Sequence, residues 1–232
     1  MPKLVFDIET VGVEFDSLDE ISKNHLLEFA ENEEERKNIR NELGFSPLTG
    51  RVIAVGILNP DTEKGAVYFQ SHDNTPAGGE IKLDKKTASD EEVQYVPCSD
   101  EKEILKNFWD AAQHYRQFVS FNGHSFDCPY LMIRSAVNEI KPSVSLMHNR
   151  YAPGPHIDIL DRLTNFGAVR GKRNLHLWCQ AFGIESPKDK GISGEEVARY
   201  FNEGKILDIA KYCYGDIKST AKLFEYWEKF IK

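Results

Sequence analysis

Long apolar runs are missing from this sequence of 232 residues. No stretch approaches the roughly 20 consecutive apolar residues that a membrane-spanning helix needs. The opening segment MPKLVFDIET has a charged residue directly after its first apolar ones and lacks the pattern of a signal peptide. An integral membrane protein is therefore excluded, and we expect no membrane partner.

Cysteine is also scarce, and its spacing is uninformative for metal binding. The four cysteines lie far apart, with no C-x-x-C pair and no histidine at zinc-ligand spacing. They are Cys98, Cys128, Cys179 and Cys213. Neither a disulfide framework nor a structural zinc site is expected, and the predicted location is the reducing cytoplasm.

Positive charge is in deficit, with 29 Lys and Arg against 37 Asp and Glu and a formal net charge of −8. This balance argues against a protein that coats nucleic acid by bulk charge. It is compatible with an enzyme that binds a short stretch of nucleic acid locally. Hydrophobic residues make up 41% of the chain and aromatic residues 11%, which predicts a packed core.

The pattern of strands and helices predicts an α/β fold. Strands are expected over 3–8, 51–58, 66–70 and 118–121, with a short strand or the start of a helix at 156–159. Helices are expected over 99–113 (capped by Ser99), 127–138, 159–167, 174–182, 194–203 and 206–229. Segments 51–58 and 66–70 are expected to form a hairpin, and 71–92 a long exposed loop. No linker divides the chain, so we expect one domain, 1–232, with a polar helical insertion over about 16–43.

The first strand ends in an unusual acidic pattern, FDIET. Strand alternation puts Asp7 and Glu9 on one face, where their carboxylates repel each other unless cations lie between them. Taken alone, this pair is better explained as an exposed strand end.

Two further segments place acidic residues at conspicuous positions. In NGHSFD a buried strand leads into a glycine turn, and Asp127 begins the next helix, where a simple helix cap is the ordinary explanation. In YCYGD, Tyr212 and Asp216 are four residues apart and share a helical face. They lie beside the apolar positions predicted to face the core, which are Ile209, Cys213, Thr220 and Leu223. Taken alone, this segment is a tyrosine at the core boundary beside a solvent-facing aspartate.

Together the three segments resemble the motifs of the DEDD superfamily of 3′–5′ exonucleases, in the branch whose third motif is Y-x-x-x-D. The sequence is most similar to the proofreading exonuclease domain of B-family DNA polymerases and to stand-alone relatives of that domain. The resemblance runs from residue 3 to about 225 and implies an RNase H-like mixed central sheet flanked by helices. The polar segment 16–43 has no counterpart in a minimal exonuclease domain of this kind.

Four carboxylates that converge would supply the hard oxygen ligands that Mg²⁺ and Mn²⁺ prefer. The resemblance implies two such ions held by Asp7, Glu9, Asp127 and Asp216. It further implies that Asp7 bridges the ions, that Glu9 and Asp216 complete the site on the side of the attacking water, and that Asp127 serves the other ion. Tyr212 matches the residue whose hydroxyl orients that water. Orientation is the expected role rather than proton removal, because an ordinary phenol is a poor base at neutral pH.

The substrate contacts implied by the resemblance are Thr10, Asn122 and Phe126, with Lys188 in a turn similar to one in stand-alone relatives. Phe126 has plain core packing as an equal alternative. Two basic clusters are candidates for phosphate binding, although solvated surface is the commoner explanation. They are Arg170, Lys172 and Arg173, and Lys188 with Lys190. His156 and Asp158 are expected at most to support the site.

The sequence therefore predicts a metal-dependent exonuclease that removes nucleotides from a 3′ end. Single-stranded DNA is the favoured substrate and RNA the alternative, which would make the protein an exoribonuclease. A catalytically idle exonuclease fold that binds nucleic acid or acts as a scaffold is the first rival, and an endonuclease of the same fold is the second. No polymerase segment follows the third motif, so any polymerase or repair partner is expected to be a separate chain.

Overall fold

The computed structural model describes residues 1–71, 93–152, 154–169, 174–186 and 196–232. Within these residues six strands form one mixed sheet that eight helices flank. The strands are β1 (Lys3–Gly12), β2 (Gly50–Leu58), β3 (Gly65–Gln70), β4 (Val93–Cys98), β5 (Gln117–Ser120) and β6 (His156–Asp158). The helices are α1 (Glu20–Leu27), α2 (Glu33–Asn41), α3 (Glu101–Ala112), α4 (Asp127–Val137), α5 (Ile159–Thr164), α6 (Leu175–Phe182), α7 (Val197–Asn202) and α8 (Ile206–Phe230). The predicted α/β class with a mixed central sheet is confirmed.

The sheet has the strand order β4-β3-β2-β1-β5-β6, with β1 in its interior. Strand β2 is antiparallel to both of its neighbours, β1 and β3, and the expected hairpin of β2 and β3 is confirmed. The pairs β3 with β4, β1 with β5 and β5 with β6 are parallel. Parallel strands end at the same edge of a sheet, so the ends of β1, β5 and β6 come together there.

Helices cover both faces of the sheet and divide the core into two layers. One layer packs α3 and α4 against Leu4, Phe6 and Ile8 of β1. The other packs α5, α6, α7 and α8 against the opposite face, which Val5 of β1 enters. Because side chains alternate along a strand, Asp7 and Glu9 follow Val5 toward α8.

The long helix α8 presents a continuous buried stripe to the sheet. As the sequence predicts, Ile209, Cys213, Thr220 and Leu223 are all buried, none more than 1% exposed. This contact fixes the rotation of α8, and with it the position of every polar side chain beside the stripe. None of the helices within the described ranges is both long and apolar enough to cross a bilayer.

The connection between β1 and β2, residues 13–49, is hereafter called the insertion. The expected helical segment 16–43 is not one helix but two short ones, with 3₁₀ turns at Phe15–Ser17 and Leu43–Phe45. Each helix has its own N-terminal cap, because Asp19 accepts from the amides of Ile21 and Ser22 and Asn32 accepts from the amide of Glu35. Asn32 has an extended backbone (φ −145°, ψ 171°), so the chain leaves the helical conformation before α2 begins.

The sequence analysis missed β4. This strand lies at the edge of the sheet, where the missing amide hydrogen of Pro97 costs no central ladder bond. The expected loop 71–92 lies outside the described residues from position 72 onward.

Three predicted helix boundaries also need correction. Helix α3 begins at Glu101 with Asp100 as its cap rather than Ser99, whose amide donates instead to Glu103 Oε2 at 2.7 Å. Helix α5 ends at Thr164, because the next two residues have left-handed backbones (φ 47° and 56°). Helix α7 begins at Val197, and residues 194–195 lie outside the described ranges.

Candidate active site

The two carboxylates of β1 lie where α8 comes closest to the sheet. On β2 the antiparallel partner of Asp7 is Gly56, and the partner of Glu9 is Ala54. A Cβ atom added at Gly56 would lie 2.9 Å from the sulfur of Cys213. The small residues of β2 therefore let α8 descend beside the carboxylates, and Gly56 is required by that close approach.

Helix α8 contributes Tyr212 and Asp216, which lie at the margin of its buried stripe and are both partly exposed. The two side chains share one helical face and are joined by a hydrogen bond from the Tyr212 hydroxyl to the Asp216 carboxylate. Cys213 lies between them in sequence but points to the sheet, where its thiol makes a weak 3.7 Å contact with the carbonyl of Asp7.

Helix α4 contributes Asp127, whose side chain is 2% exposed. The N-cap position of α4 is occupied by Phe126, which makes no side-chain cap, so the ordinary explanation of Asp127 as a helix cap does not hold. Its Oδ1 instead accepts a hydrogen bond from the amide of Ile8 at 3.1 Å. Asp127 is thus attached to β1 between the two carboxylates of that strand.

The loop that leads into α4 is held in position by hydrogen bonds to the carboxylate of Asp158. Asn122 has a left-handed backbone (φ 64°), and a Cβ added at Gly123 would lie 2.0 Å from the Ser120 hydroxyl, so only glycine fits there. Asp158 Oδ1 accepts from the amide of Asn122 at 2.9 Å, and Oδ2 accepts from that of His124 at 3.0 Å. This one carboxylate fixes the loop between β5 and α4.

A second layer of polar contacts supports the same loop. Asp161 Oδ2 lies 2.7 Å from His124 Nδ1 and accepts from Arg150 Nε at 2.8 Å, while Arg150 Nη2 bonds to the other carboxylate oxygen. Burial raises the pKa of Asp161, but the hydrogen bonds from Arg150 and His124 outweigh it and leave that pKa below its ordinary value. The sequence analysis assigned no role to these three residues, because partners so far apart along the chain form no local pattern.

The carboxylates from β1, α4 and α8 interact electrostatically. Burial raises the pKa of Asp7 well above its usual range, and the charges of Asp127, Asp216 and Glu9 raise it further. Glu9 is 6% exposed and behaves in the same way, with burial first and then Asp216 and Asp127 as the causes. Burial raises the pKa of Asp127 to about 7. Such a cluster destabilises the fold at neutral pH unless cations balance it.

The donor atoms present fit divalent cations of the Mg²⁺ and Mn²⁺ type. Carboxylate oxygens are the ligands that these hard ions prefer, and the charges that raise the pKa values of Asp7 and Glu9 all come from neighbouring carboxylates. One ligand atom each from Asp7, Glu9 and Cys213 lies within 4.8 Å of the others. Burial raises the pKa of the Cys213 thiol well above its ordinary value, so this sulfur stays protonated and the carboxylates are the better ligands.

A second group of potential metal ligands, His124, Asp158 and Asp161, is less suited to an ion. The carboxylate oxygens of this group are already engaged with backbone amides, with His124 and with the guanidinium of Arg150. We therefore assign it to the support of the loop.

The phenol of Tyr212 stays protonated across the working range of pH. Burial is the main cause that raises its pKa, and the charges of Asp216, Glu9 and Asp7 add to the effect. Its hydrogen bond to Asp216 leaves the lone pairs of the phenolic oxygen as acceptors. The side chain can therefore orient a water molecule but cannot remove a proton from it.

The residues predicted to contact substrate have different surroundings. Thr10 donates its hydroxyl hydrogen to the carbonyl of Gly44 at 2.8 Å. Asn122 Oδ1 is buried and accepts no hydrogen bond within the described residues. Phe126 is partly buried, and its ring packs against Tyr130 with centroids 5.3 Å apart. Lys188 lies outside the described residues, as do Arg170, Lys172, Arg173 and Lys190.

Comparison with known families agrees with this arrangement. Residues 81–230 match a family described as "Predicted 3'-5' exonuclease related to the exonuclease domain of PolB". The matched segment contains Asp127, Tyr212 and Asp216, whereas Asp7 and Glu9 precede it and join them through the fold. No curated protein matches the sequence significantly.

Among solved structures, the chain is similar to the family B DNA polymerase from the hyperthermophilic archaeon Pyrobaculum calidifontis. The match has a TM-score of 0.60 at 17% sequence identity and covers 97% of this chain. It spans 24% of the polymerase chain, so it concerns the fold of one part of that protein. The predicted RNase H-like fold, similar to a polymerase exonuclease domain, is confirmed.

Proposed function

The chain belongs to the family of predicted 3′–5′ exonucleases related to the exonuclease domain of PolB, and from this premise we propose that it hydrolyses single-stranded DNA from the 3′ end with two divalent cations. The observation that carries the proposal is the convergence of carboxylates from β1, α4 and α8, with the Tyr212 hydroxyl bonded to one of them. Family membership supports the direction of hydrolysis, and the carboxylate cluster supports the metal requirement.

The residues that would hold two Mg²⁺ or Mn²⁺ ions are Asp7, Glu9, Asp127 and Asp216. When bound, such ions activate water and stabilise the charge that develops on the leaving oxygen. Burial and mutual repulsion prepare these carboxylates for cations, because cation binding relieves an electrostatic cost that the fold otherwise bears. The amide of Ile8 keeps Asp127 in place through its 3.1 Å hydrogen bond.

Tyr212 accepts a hydrogen bond from the attacking water and so aims that water at the terminal phosphorus. The water oxygen forms a bond to phosphorus, and the bond from phosphorus to the 3′-oxygen of the preceding nucleotide breaks. That 3′-oxygen takes up a proton, and the products are a nucleoside 5′-monophosphate and a strand one nucleotide shorter. The Asn122 amide, whose buried oxygen is unpartnered within the described residues, contacts the terminal nucleotide.

Two other functions are less well supported. A nucleic-acid-binding module without catalysis would gain nothing from a buried cluster of carboxylates that costs stability. An endonuclease would have no need of Tyr212, which belongs to the motif of the exonuclease branch. RNA in place of DNA stays the alternative substrate, because a single contact to the 2′-hydroxyl distinguishes the two.

A gel time course with 5′-labelled single strands tests the proposal. DNA and RNA of one sequence are incubated with Mn²⁺, with excess EDTA, and with a 3′-phosphate that blocks the end. We expect a metal-dependent ladder that shortens from the 3′ end and stops at the block. Cleavage in EDTA would contradict the metal requirement, internal cuts on blocked strands would favour the endonuclease, and binding without cleavage would favour the idle module.

A further inference from the structure

A cleft of about 1410 Å³ opens between the insertion and α7. Its lining includes Thr10, Arg40, Phe45, Arg51 and Phe201, and we name it the insertion cleft. Thr10, which directly follows Glu9 on β1, is part of this lining, so the insertion cleft lies next to the strand segment that carries the two carboxylates. It is larger than the roughly 300–1,000 Å³ of small-molecule pockets, which favours a chain of several units as its occupant.

The insertion wall of this cleft is fixed to the strand that carries the carboxylates. A Cβ added at Gly12 would lie 2.7 Å from the Cβ of Leu43, so the backbones of β1 and the insertion are in close contact there. The carbonyl of Gly44 accepts from the hydroxyls of Thr10 at 2.8 Å and Tyr130 at 3.0 Å. Tyr130 belongs to α4, the helix that begins at Asp127, so the wall holds its position relative to two of the three acidic segments.

Two arginines of the cleft carry charge without a carboxylate partner. The guanidinium of Arg40 lies 4.9 Å from the ring centre of Phe15, and that of Arg51 lies 5.3 Å from the ring centre of Phe201. Neither arginine forms an ion pair with any residue that the structure describes. Stacking holds each guanidinium plane while its N–H groups stay available, which is the arrangement that suits phosphate oxygens.

The cleft also exposes an aromatic ring and several carboxylates. Phe45 is 53% exposed on the last 3₁₀ turn of the insertion, a position where a base can stack on it. Glu14, Asp16 and Glu42 line the same cleft. These carboxylates, together with Glu203 on the side of α7, repel phosphates, so only the part of the cleft near the two arginines suits a polyanion.

We propose that the insertion cleft binds the single strand that precedes the 3′-terminal nucleotide, with Arg40 and Arg51 on its phosphates and Phe45 stacked on a base. This inference rests on the proposed exonuclease function and gives the insertion a role in it. It accounts for substrate binding by a protein with net charge −8, because two local cations and one ring replace bulk positive charge.

Hydrolysis of two substrates separates the cleft from the reaction. One substrate is a series of single strands from two to twelve nucleotides, and the other is the p-nitrophenyl ester of thymidine 5′-monophosphate, which is too small to reach the cleft. In Mn²⁺ we expect kcat/KM of the wild type to rise with strand length. In Arg40→Ala and Phe45→Ala, the ratio of kcat/KM for the longest strand to that for the ester should fall about tenfold.

Arg36→Ala is the matched control, because Arg36 lies on the same helix α2, pairs with Glu33 and does not line the cleft. This variant should leave kcat/KM unchanged for both the strands and the ester. Strand binding measured in EDTA by fluorescence anisotropy provides a second readout. The negative slope of log affinity against log salt should become shallower by about 0.7 in Arg40→Ala, the value for one lost phosphate contact on a single strand.

The outcomes distinguish this inference from the proposed function. If the wild type hydrolyses neither strand nor ester in Mn²⁺, the proposed function fails. If it hydrolyses both but the Arg40 and Phe45 variants keep the wild-type ratio and salt slope, the cleft does not bind the strand and this inference is overturned. In that case a protein partner becomes the better candidate occupant.

Discussion

Asp7 is the residue on which the other acidic side chains converge. Burial and the charges of Asp127, Asp216 and Glu9 all raise its pKa, so negative charge from three neighbouring carboxylates acts on it. We expect Asp7→Asn to lower kcat on single-stranded DNA at least a hundredfold, because it removes a charged ligand that the two proposed cations would share. The decay rate of a 5′-labelled strand at saturating Mn²⁺ measures this loss.

The same substitution should not damage the fold. Removing one of several repelling charges should raise the melting temperature in EDTA slightly above that of the wild type. A variant with normal turnover would refute the assignment of Asp7. A variant that melts well below the wild type would instead give Asp7 a structural role.

Tyr212 and Asp216 are bonded to each other but differ in what they contribute. Tyr212→Phe removes the oxygen proposed to orient water and leaves the carboxylates, so we expect it to lower kcat less than Asp216→Asn does. Because burial and the neighbouring carboxylates raise the pKa of Tyr212, the phenol does not titrate between pH 6 and 9. The pH profiles of kcat/KM for wild type and Tyr212→Phe should therefore be parallel over that range. A limb that disappears in the variant would show that the phenol acts as a base.

At the scale of elements, Asp158 at the end of β6 holds the loop between β5 and α4 in position. Asp158 accepts from the loop amides of Asn122 and His124 and, as the N-terminal cap of α5, from two amides in the first turn of that helix, so Asp158→Ala leaves four amides without this partner. We expect a loss of about 3–7 kcal/mol in the free energy of unfolding by urea, from roughly 1–3 kcal/mol for each of the two loop amides and roughly 1 kcal/mol for the lost helix cap. Asp158→Asn keeps one acceptor oxygen and should lose about half as much. Equal stability of the Ala variant and the wild type would contradict this role.

The elements also show where sequence reasoning succeeds and where it stops. The stripe of α8 was predictable because a period of 3.6 residues is a local signal, and it correctly placed Tyr212 and Asp216 at the margin of the core. Strand β4 was missed because it pairs in parallel with β3 across a long connection rather than through a hairpin turn. The support given by Asp158 was not predictable in detail, since its partners lie 34 and 36 residues away.

At the scale of the whole molecule, the motif order FDIET, NGHSFD and YCYGD predicted an assembly that only the sheet topology can produce. β1 and β5 are parallel neighbours, α4 reaches β1 from one face of the sheet and α8 from the other, so three distant segments meet around β1. The motifs did not indicate where the insertion packs. Its hydrogen bonds to Thr10 and Tyr130 arise from the packing of glycines whose contacts have no periodic signature.

The carboxylate cluster also makes the stability of the whole molecule depend on pH. A group whose folded pKa is raised stabilises the protein below its unfolded pKa, and that contribution is lost as pH rises through the folded pKa. Burial raises the pKa of Asp127 to about 7, so its contribution should decline from about pH 4 onward, and the last part of it should disappear between about pH 6 and pH 8. In EDTA, the free energy of unfolding of the wild type relative to Asp127→Asn should fall by about 1 kcal/mol over that range.

Comparison with Asp127→Asn cancels the opposing contribution of His156. Burial lowers the pKa of His156 to about 3, so this histidine destabilises the fold once the pH falls below the ordinary pKa of histidine. It does so in both proteins. Saturating Mn²⁺ should remove the decline in the wild type, because bound cations favour the ionised carboxylates and stabilise the folded state by mass action. Urea unfolding at pH 6, 7 and 8 with EDTA or Mn²⁺ measures both effects. A wild type that gains stability over the variant in EDTA as pH rises would show that the carboxylates are already neutralised within the chain, and the metal site would then lose its physical basis.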